Sequence, residues 1–185
     1  MRGSGGTRFA TGFVLMEWMV ALALIAGAAA LAAPSLAGWR VRDRVDASAR
    51  ALLASLAYAR GEAVRLGARV TVCRGDSPVG CGAASARCPG GDADWSCGWV
   101  VVSGSAERPL VLRRFAGDAQ VVVKGAGSEL AFTPPAGQVI GGFRRFEFAP
   151  RAAASGFDGE RWRRCVRIAA GGRARVTPRA CGAQG

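Results

Sequence analysis

The chain has 185 residues, with 25 Lys+Arg against 13 Asp+Glu, a formal net charge of +12 and no histidine. That length supports one folded domain with its own core plus a terminal segment. Without histidine the commonest acid–base group and the usual zinc ligand are missing, and neither a nucleophile elbow nor a phosphate-binding glycine loop occurs. The residues therefore point away from an enzyme and from any metal or other cofactor.

Residues 1–12 are rich in Gly, Ser and Thr and carry Arg2 and Arg8. From Phe13 to Ala33 the only charge is Glu17. As a helix this run spans about 31 Å, close to the hydrocarbon thickness of a bilayer. The two arginines ahead of it favour a cytoplasmic N-terminus and place the rest of the chain outside. A carboxylate near the centre of a span costs roughly 3 kcal/mol, so Glu17 needs a partner. Ala30-Leu31-Ala32 could end a cleaved secretory signal, but a charge within the apolar core argues against one. A plain anchor explains length and hydropathy and leaves Glu17 without a role.

After Pro34, which is expected to kink the helix or start a new turn, Val41, Val45, Ala49, Leu52, Leu56, Ala59, Ala63 and Leu66 recur at intervals of three and four. This predicts an amphipathic helix that stops at Gly67. From Arg69 the period becomes two. Strands are predicted over 69–73, 98–102, 110–115, 120–124, 130–133, 143–148, 164–169 and 173–177, separated by Gly and Pro turns. The resulting class is α+β, a long N-terminal helix packed on antiparallel β-sheets.

Cys73, Cys81, Cys88, Cys97, Cys165 and Cys181, in a domain outside the cytoplasm, read as up to three disulfides with 15 possible pairings. Cys165 with Cys181 is the expected bridge, and the other four are left to pair among themselves. The 74–96 stretch reads as a long loop pinned by such bonds. Asp92 and Asp94 with Asp76 lack the further ligands of a calcium loop and read as a solvated acidic turn.

Charge is uneven along the chain. From Arg144 to Arg179 there are ten arginines against Glu147, Asp158 and Glu160, a local net of +7. Such an excess calls for a polyanion, an acidic polysaccharide or an anionic lipid. Within it lies Gly172-Arg173-Ala174-Arg175. On a strand Arg173 and Arg175 project together while Ala174 and Val176 face inward, making a two-pronged cation. Arg161, Arg163, Arg164, Arg167 and Arg179 are the candidates to extend it. The competing reading is charge that protects a sheet edge from pairing.

Gly12, Phe13, Glu17 at the fifth position after the glycine, and Pro34 at the twenty-second together resemble the class III leader of type IV pilins and pseudopilins. Ala54 to Ala63, Gly67 to Cys73 and Asp94-Trp95-Ser96-Cys97-Gly98-Trp99 are similar to the GspH/FimT branch; the Cys81 and Cys88 loop departs from it. The resemblance implies cleavage by a prepilin peptidase between Gly12 and Phe13, N-methylation of Phe13, and a filament role for Glu17 in pairing with an N-terminal amine. It implies a leader at 1–12, a membrane and filament-core helix at 13–34, its amphipathic continuation at 35–67 and a periplasmic β-rich domain at 68–185. The protein is then single-pass in the bacterial inner membrane, with other pilins or pseudopilins as partners. The Gly-Arg-x-Arg element at 172–175 resembles that of FimT-type pseudopilins, which bind DNA in natural transformation. Two functions follow: a minor pilin of a type IV pilus that binds DNA for uptake, or a minor pseudopilin of a type II secretion system working through protein contacts alone.

Overall fold

The computed structural model describes residues 11–75, 81, 88, 90–91, 93–104, 108–151 and 161–182, with side chains from residue 15 onward except 31–37. Asp76, Asp92 and most of the leader lie outside these residues. The chain divides into two compact units, Met1–Arg40 and Val41–Gly185.

One helix, α1, is assigned over Thr11–Leu66, with Pro34 and Gly38 inside it. In the first unit Leu15, Met16, Trp18, Met19, Leu22, Leu24 and Ile25 are all well exposed, and none of its described side chains is buried. Among the described residues no helix is long and apolar enough to cross a membrane. The expected span, 13–34, extends at both ends into positions whose side chains are not described.

In the second unit α1 buries Val45, Ala49, Leu52, Leu56, Ala59 and Ala63, the face that the three-and-four spacing predicts. Val41 is half-buried, and Leu66, at the helix end, is exposed. Gly67 follows with φ of 59°, as expected of a helix stop.

Nine strands follow among the described residues: β1 Val70–Arg74, β2 Gly98–Gly104, β3 Pro109–Ala116, β4 Val121–Gly125, β5 Glu129–Thr133, β6 Gln138–Val139, β7 Arg144–Pro150, β8 Arg164–Ile168 and β9 Ala174–Pro178. Each predicted strand occurs with its ends displaced by at most two residues. β6, two residues long, is too short to show a period. All pairings are antiparallel, and the sheets run β3-β2-β1-β5-β6 and β4-β7-β8-β9. One core joins the helix to both: Val70, Val72, Trp99, Val101 and Phe132 from the first sheet, and Val121, Val123, Phe146, Phe148, Val166 and Ile168 from the second.

Trp95 and Trp99 anchor the connection between β1 and β2. Trp99 is buried, stacks on Phe115 with ring centroids 4.2 Å apart, and donates its indole N–H to Ser55 Oγ on α1 at 3.0 Å. Trp95 meets Phe146 edge-on at 4.8 Å and donates to the Gly127 carbonyl at 2.8 Å. A buried indole needs such a partner, which accounts for Ser55 on the buried face of α1. A smaller cluster of Cys73, Val100 and Val102, with Cys81 and Val111 against it, covers the other side of β2. The disulfides are Cys73–Cys81, Cys88–Cys97 and Cys165–Cys181.

Candidate functional site

β9 is an edge strand, hydrogen-bonded to β8 alone. The hairpin between them is tight: Ala169 N–H donates to the Arg173 carbonyl at 3.0 Å and Gly172 N–H to the Ala169 carbonyl at 2.8 Å. Gly172 is buried with φ of 77°. A Cβ there would collide with the Gly137 carbonyl oxygen, so glycine is required by both conformation and space. This turn sets the register in which Arg173 and Arg175 are exposed while Ala174 and Val176 pack against the core.

The pairing of β7 with β8 and of β8 with β9 then does something that one strand cannot. Arg145 is opposite Arg167, and Arg167 is opposite Arg175. Directly opposed residues share a face and adjacent strands are about 4.8 Å apart, so three arginine stems stand within roughly 10 Å. One step along the sheet, Phe143, just before β7, and Arg173 flank Ala169 on the same side. These residues line a cleft of about 850 Å³.

Directly opposed like charges destabilise a sheet. The ion pairs of the described residues join Arg42 and Arg164 to Asp46, Arg65 to Glu62, Arg69 to Glu129 and Arg163 to Glu147; none includes Arg167, Arg173 or Arg175. The outward carboxylate closest in register, Glu147, accepts from Arg163 at 2.6 Å and from Cys181 N–H at 3.1 Å. The arginine row is thus left with unbalanced charge, which an anion would relieve.

The Cys165–Cys181 bond carries the tail back over the sheet, where Arg145 donates to the Gly182 carbonyl at 3.4 Å. The tail therefore borders the basic face. Of the arginines predicted to extend the pair, Arg167 joins the cleft. Arg161 and Arg179 are exposed but do not line it. Arg163 is committed to Glu147. Arg164 is 7% exposed, on the inward side of β8, and forms a two-point ion pair with Asp46 of α1, through Nε to Oδ1 and through Nη2 to Oδ2 at 3.2 Å. It ties the sheet to the helix. Arg145 and Phe143 were not expected at the site. Their alternation in 143–148 marks them as sharing a face, but only the β7–β8 and β8–β9 registers together bring that face near Arg175.

Asp94 is a structural residue. It accepts from Gly90 N–H at 3.0 Å and Ser96 N–H at 2.9 Å. Burial works to raise its pKa, but the hydrogen bonds from Ser96 and Gly90, with the field of Arg151, outweigh this and hold it below the usual carboxylate range. Among the described residues no group of His, Cys, Asp and Glu is arranged to hold a metal.

The family model described as Type II transport protein GspH matches residues 48–172. The chain belongs to the GspH family. The match runs from the buried half of α1 through β8 and ends at Gly172, so Arg173, Arg175 and β9 lie just beyond it. Two crystal structures of the Pseudomonas aeruginosa (strain PAO1) type IV minor pilin FimU share the fold. One is 23% identical with a TM-score of 0.52, over 72% of this chain and 92% of that one. The other is 24% identical with a TM-score of 0.54, over 74% and 90%. No curated protein matches. This GspH-family chain is thus an α+β protein that shares its fold with the type IV minor pilin FimU.

Proposed function

We propose that this protein is a minor pilin of a type IV pilus that binds DNA through the Arg145–Arg167–Arg175 row and Arg173. The carrying observation is that row: opposed arginines on three adjacent strands, with no carboxylate paired to Arg167, Arg173 or Arg175 among the described residues. A planar guanidinium donates two parallel hydrogen bonds to a phosphate, and several in a row suit a polymer of phosphates better than a single anion. The leader pattern at Gly12, Phe13 and Glu17 supports peptidase cleavage before Phe13, methylation there, and an inner-membrane anchor at 13–34 with the 68–185 domain in the periplasm. The protein then acts by binding and assembly, not by catalysis.

Phosphate contacts release counterions, so affinity for duplex DNA should fall steeply with salt, by a slope of about 0.9 in log K per contact. With the full chain in non-ionic detergent, Arg173→Ala with Arg175→Ala is expected to flatten that slope by roughly 1 to 2 units. Arg44→Ala with Arg114→Ala removes the same charge from exposed positions outside the cleft and should leave the slope nearly unchanged. Equal losses in both variants would reduce the effect to bulk charge. No binding by the unmutated chain even at low salt would overturn the DNA reading.

The second reading is a pseudopilin of a type II secretion system. It is favoured by the description of the matched family and by the end of that match at Gly172, ahead of the arginine pair. It predicts protein contacts alone, and the same titration separates the two.

A further inference from the structure

Phe143 is 79% exposed, more than any other large apolar side chain of the described residues. Its backbone is nevertheless held in place. The 140–142 turn ahead of it has Gly141 and Gly142 at φ of 89° and 81°, and Arg144 Nη1 donates to the Gly141 carbonyl at 2.7 Å and to the Phe143 carbonyl at 3.4 Å. Arg144 spends its guanidinium on this turn. Phe143 therefore lines the cleft on a held backbone, together with Ala169, Arg145, Arg167, Arg173 and Arg175.

A phenyl ring so exposed among cations contributes little to the fold, and an inorganic anion would not use it. A ligand with a flat π-face joined to a phosphate would use both. In duplex DNA the base faces are already stacked on one another, so the ring could meet only sugar and phosphate. An unpaired nucleotide offers its face freely. The cleft is also concave, whereas a duplex presents a convex cylinder. We infer that Phe143 is a base-stacking platform and that this cleft takes single-stranded DNA, at a strand end or an unpaired stretch, in preference to duplex. This rests on the DNA reading given above and narrows its ligand.

The test uses the full chain in non-ionic detergent and fluorescence anisotropy with three labelled probes: oligo-dT of ~12 nucleotides, within the range of single-strand site sizes, an abasic strand of the same length, and a duplex of matched phosphate number. The abasic strand keeps the phosphates and lacks the π-faces. The unmutated chain is expected to bind oligo-dT at least about fivefold more tightly than the abasic strand, the lower range of one stacked base. Phe143→Ala should abolish that difference by lowering the affinity for oligo-dT to that for the abasic strand, and Phe143→Trp should restore it. Equal binding of oligo-dT and the abasic strand by the unmutated chain would overturn the stacking role. So would a Phe143→Ala variant that behaves as the unmutated chain on every probe, which would point to a protein contact for the ring. If duplex binding depends on Arg173 and Arg175 while Phe143 is inert, this inference alone fails. If none of the probes binds, the DNA reading fails with it.

Discussion

Arg164 and Arg167 are three positions apart on one strand, yet they have opposite surroundings. An odd separation puts them on opposite faces of the sheet, and Arg164 is repaid for burial by the two-point pair with Asp46 and by its bonds to the Arg161 and Arg163 carbonyls. Removing one partner leaves a buried charge unmatched. Arg164→Met is therefore expected to cost about 3 kcal/mol, read as a lower urea midpoint, with little change in the salt slope of DNA binding because the cleft is on the other face. A large loss of DNA affinity in a folded Arg164→Met protein would return that residue to the site. Asp94 makes a pH prediction of defined sign. Its folded pKa lies below its ordinary value, so the stability it contributes is present above the usual carboxylate pKa and is lost as pH falls through the lower folded value. In acid titration of unfolding, Asp94→Asn should show a shallower loss of stability below about pH 4 than the unmutated chain. Identical acid profiles would remove Asp94 as a contributor.

At the scale of elements, the β8–β9 hairpin is the unit that makes the cleft, and a glycine turn and a disulfide hold it. Gly172 closes the turn, and Cys165–Cys181, 16 positions apart, ties the tail to β8. A closed loop of that size is worth roughly 3 kcal/mol in the chain-entropy view. Serine at both Cys165 and Cys181 should lower stability by about that amount and speed proteolysis after β9, because an edge strand has a neighbour on one side only. Gly172→Ala is expected to act more locally. It strains the turn and shifts Arg173 and Arg175 out of register with Arg167, so DNA affinity should fall even though both arginines remain. Retained affinity in that variant would mean that the pair acts as diffuse charge and does not depend on the strand geometry.

At the scale of the whole molecule, a unit with an exposed apolar surface and a unit with its own core follow one another in one chain. The helix around Glu17 exposes large apolar side chains such as Leu15, Trp18, Leu24 and Ile25, which is unfavourable in water and suits a bilayer or the interior of a filament. Glu17→Ala is expected to remain membrane-associated and to be processed to a chain beginning at methylated Phe13, but to enter filaments poorly. Intact mass of the membrane fraction and the pilin content of sheared filaments measure the two halves of that statement. A mature chain beginning at Ala33 or retaining Met1 would overturn the processing step, and normal incorporation of the variant would remove the role of Glu17.

The sequence by itself determined what depends on local period and composition. The three-and-four spacing from Val45 to Ala63 specified the buried helix face, the period of two placed eight of the nine strands, and Gly67 marked the helix end, because each is a consequence of backbone geometry within a few residues. The alternation of Arg173 and Arg175 was legible for the same reason. The tertiary structure alone decided which arginines belong together. Arg145 and Arg175 are far apart in the chain and become neighbours only through the register of β7, β8 and β9. Arg164, equally basic in the sequence, is withdrawn because Asp46 of the helix meets it across the core. Charge is a property of residues, but a binding face is a property of strand pairing, and pairing is set by long-range packing that no local pattern records.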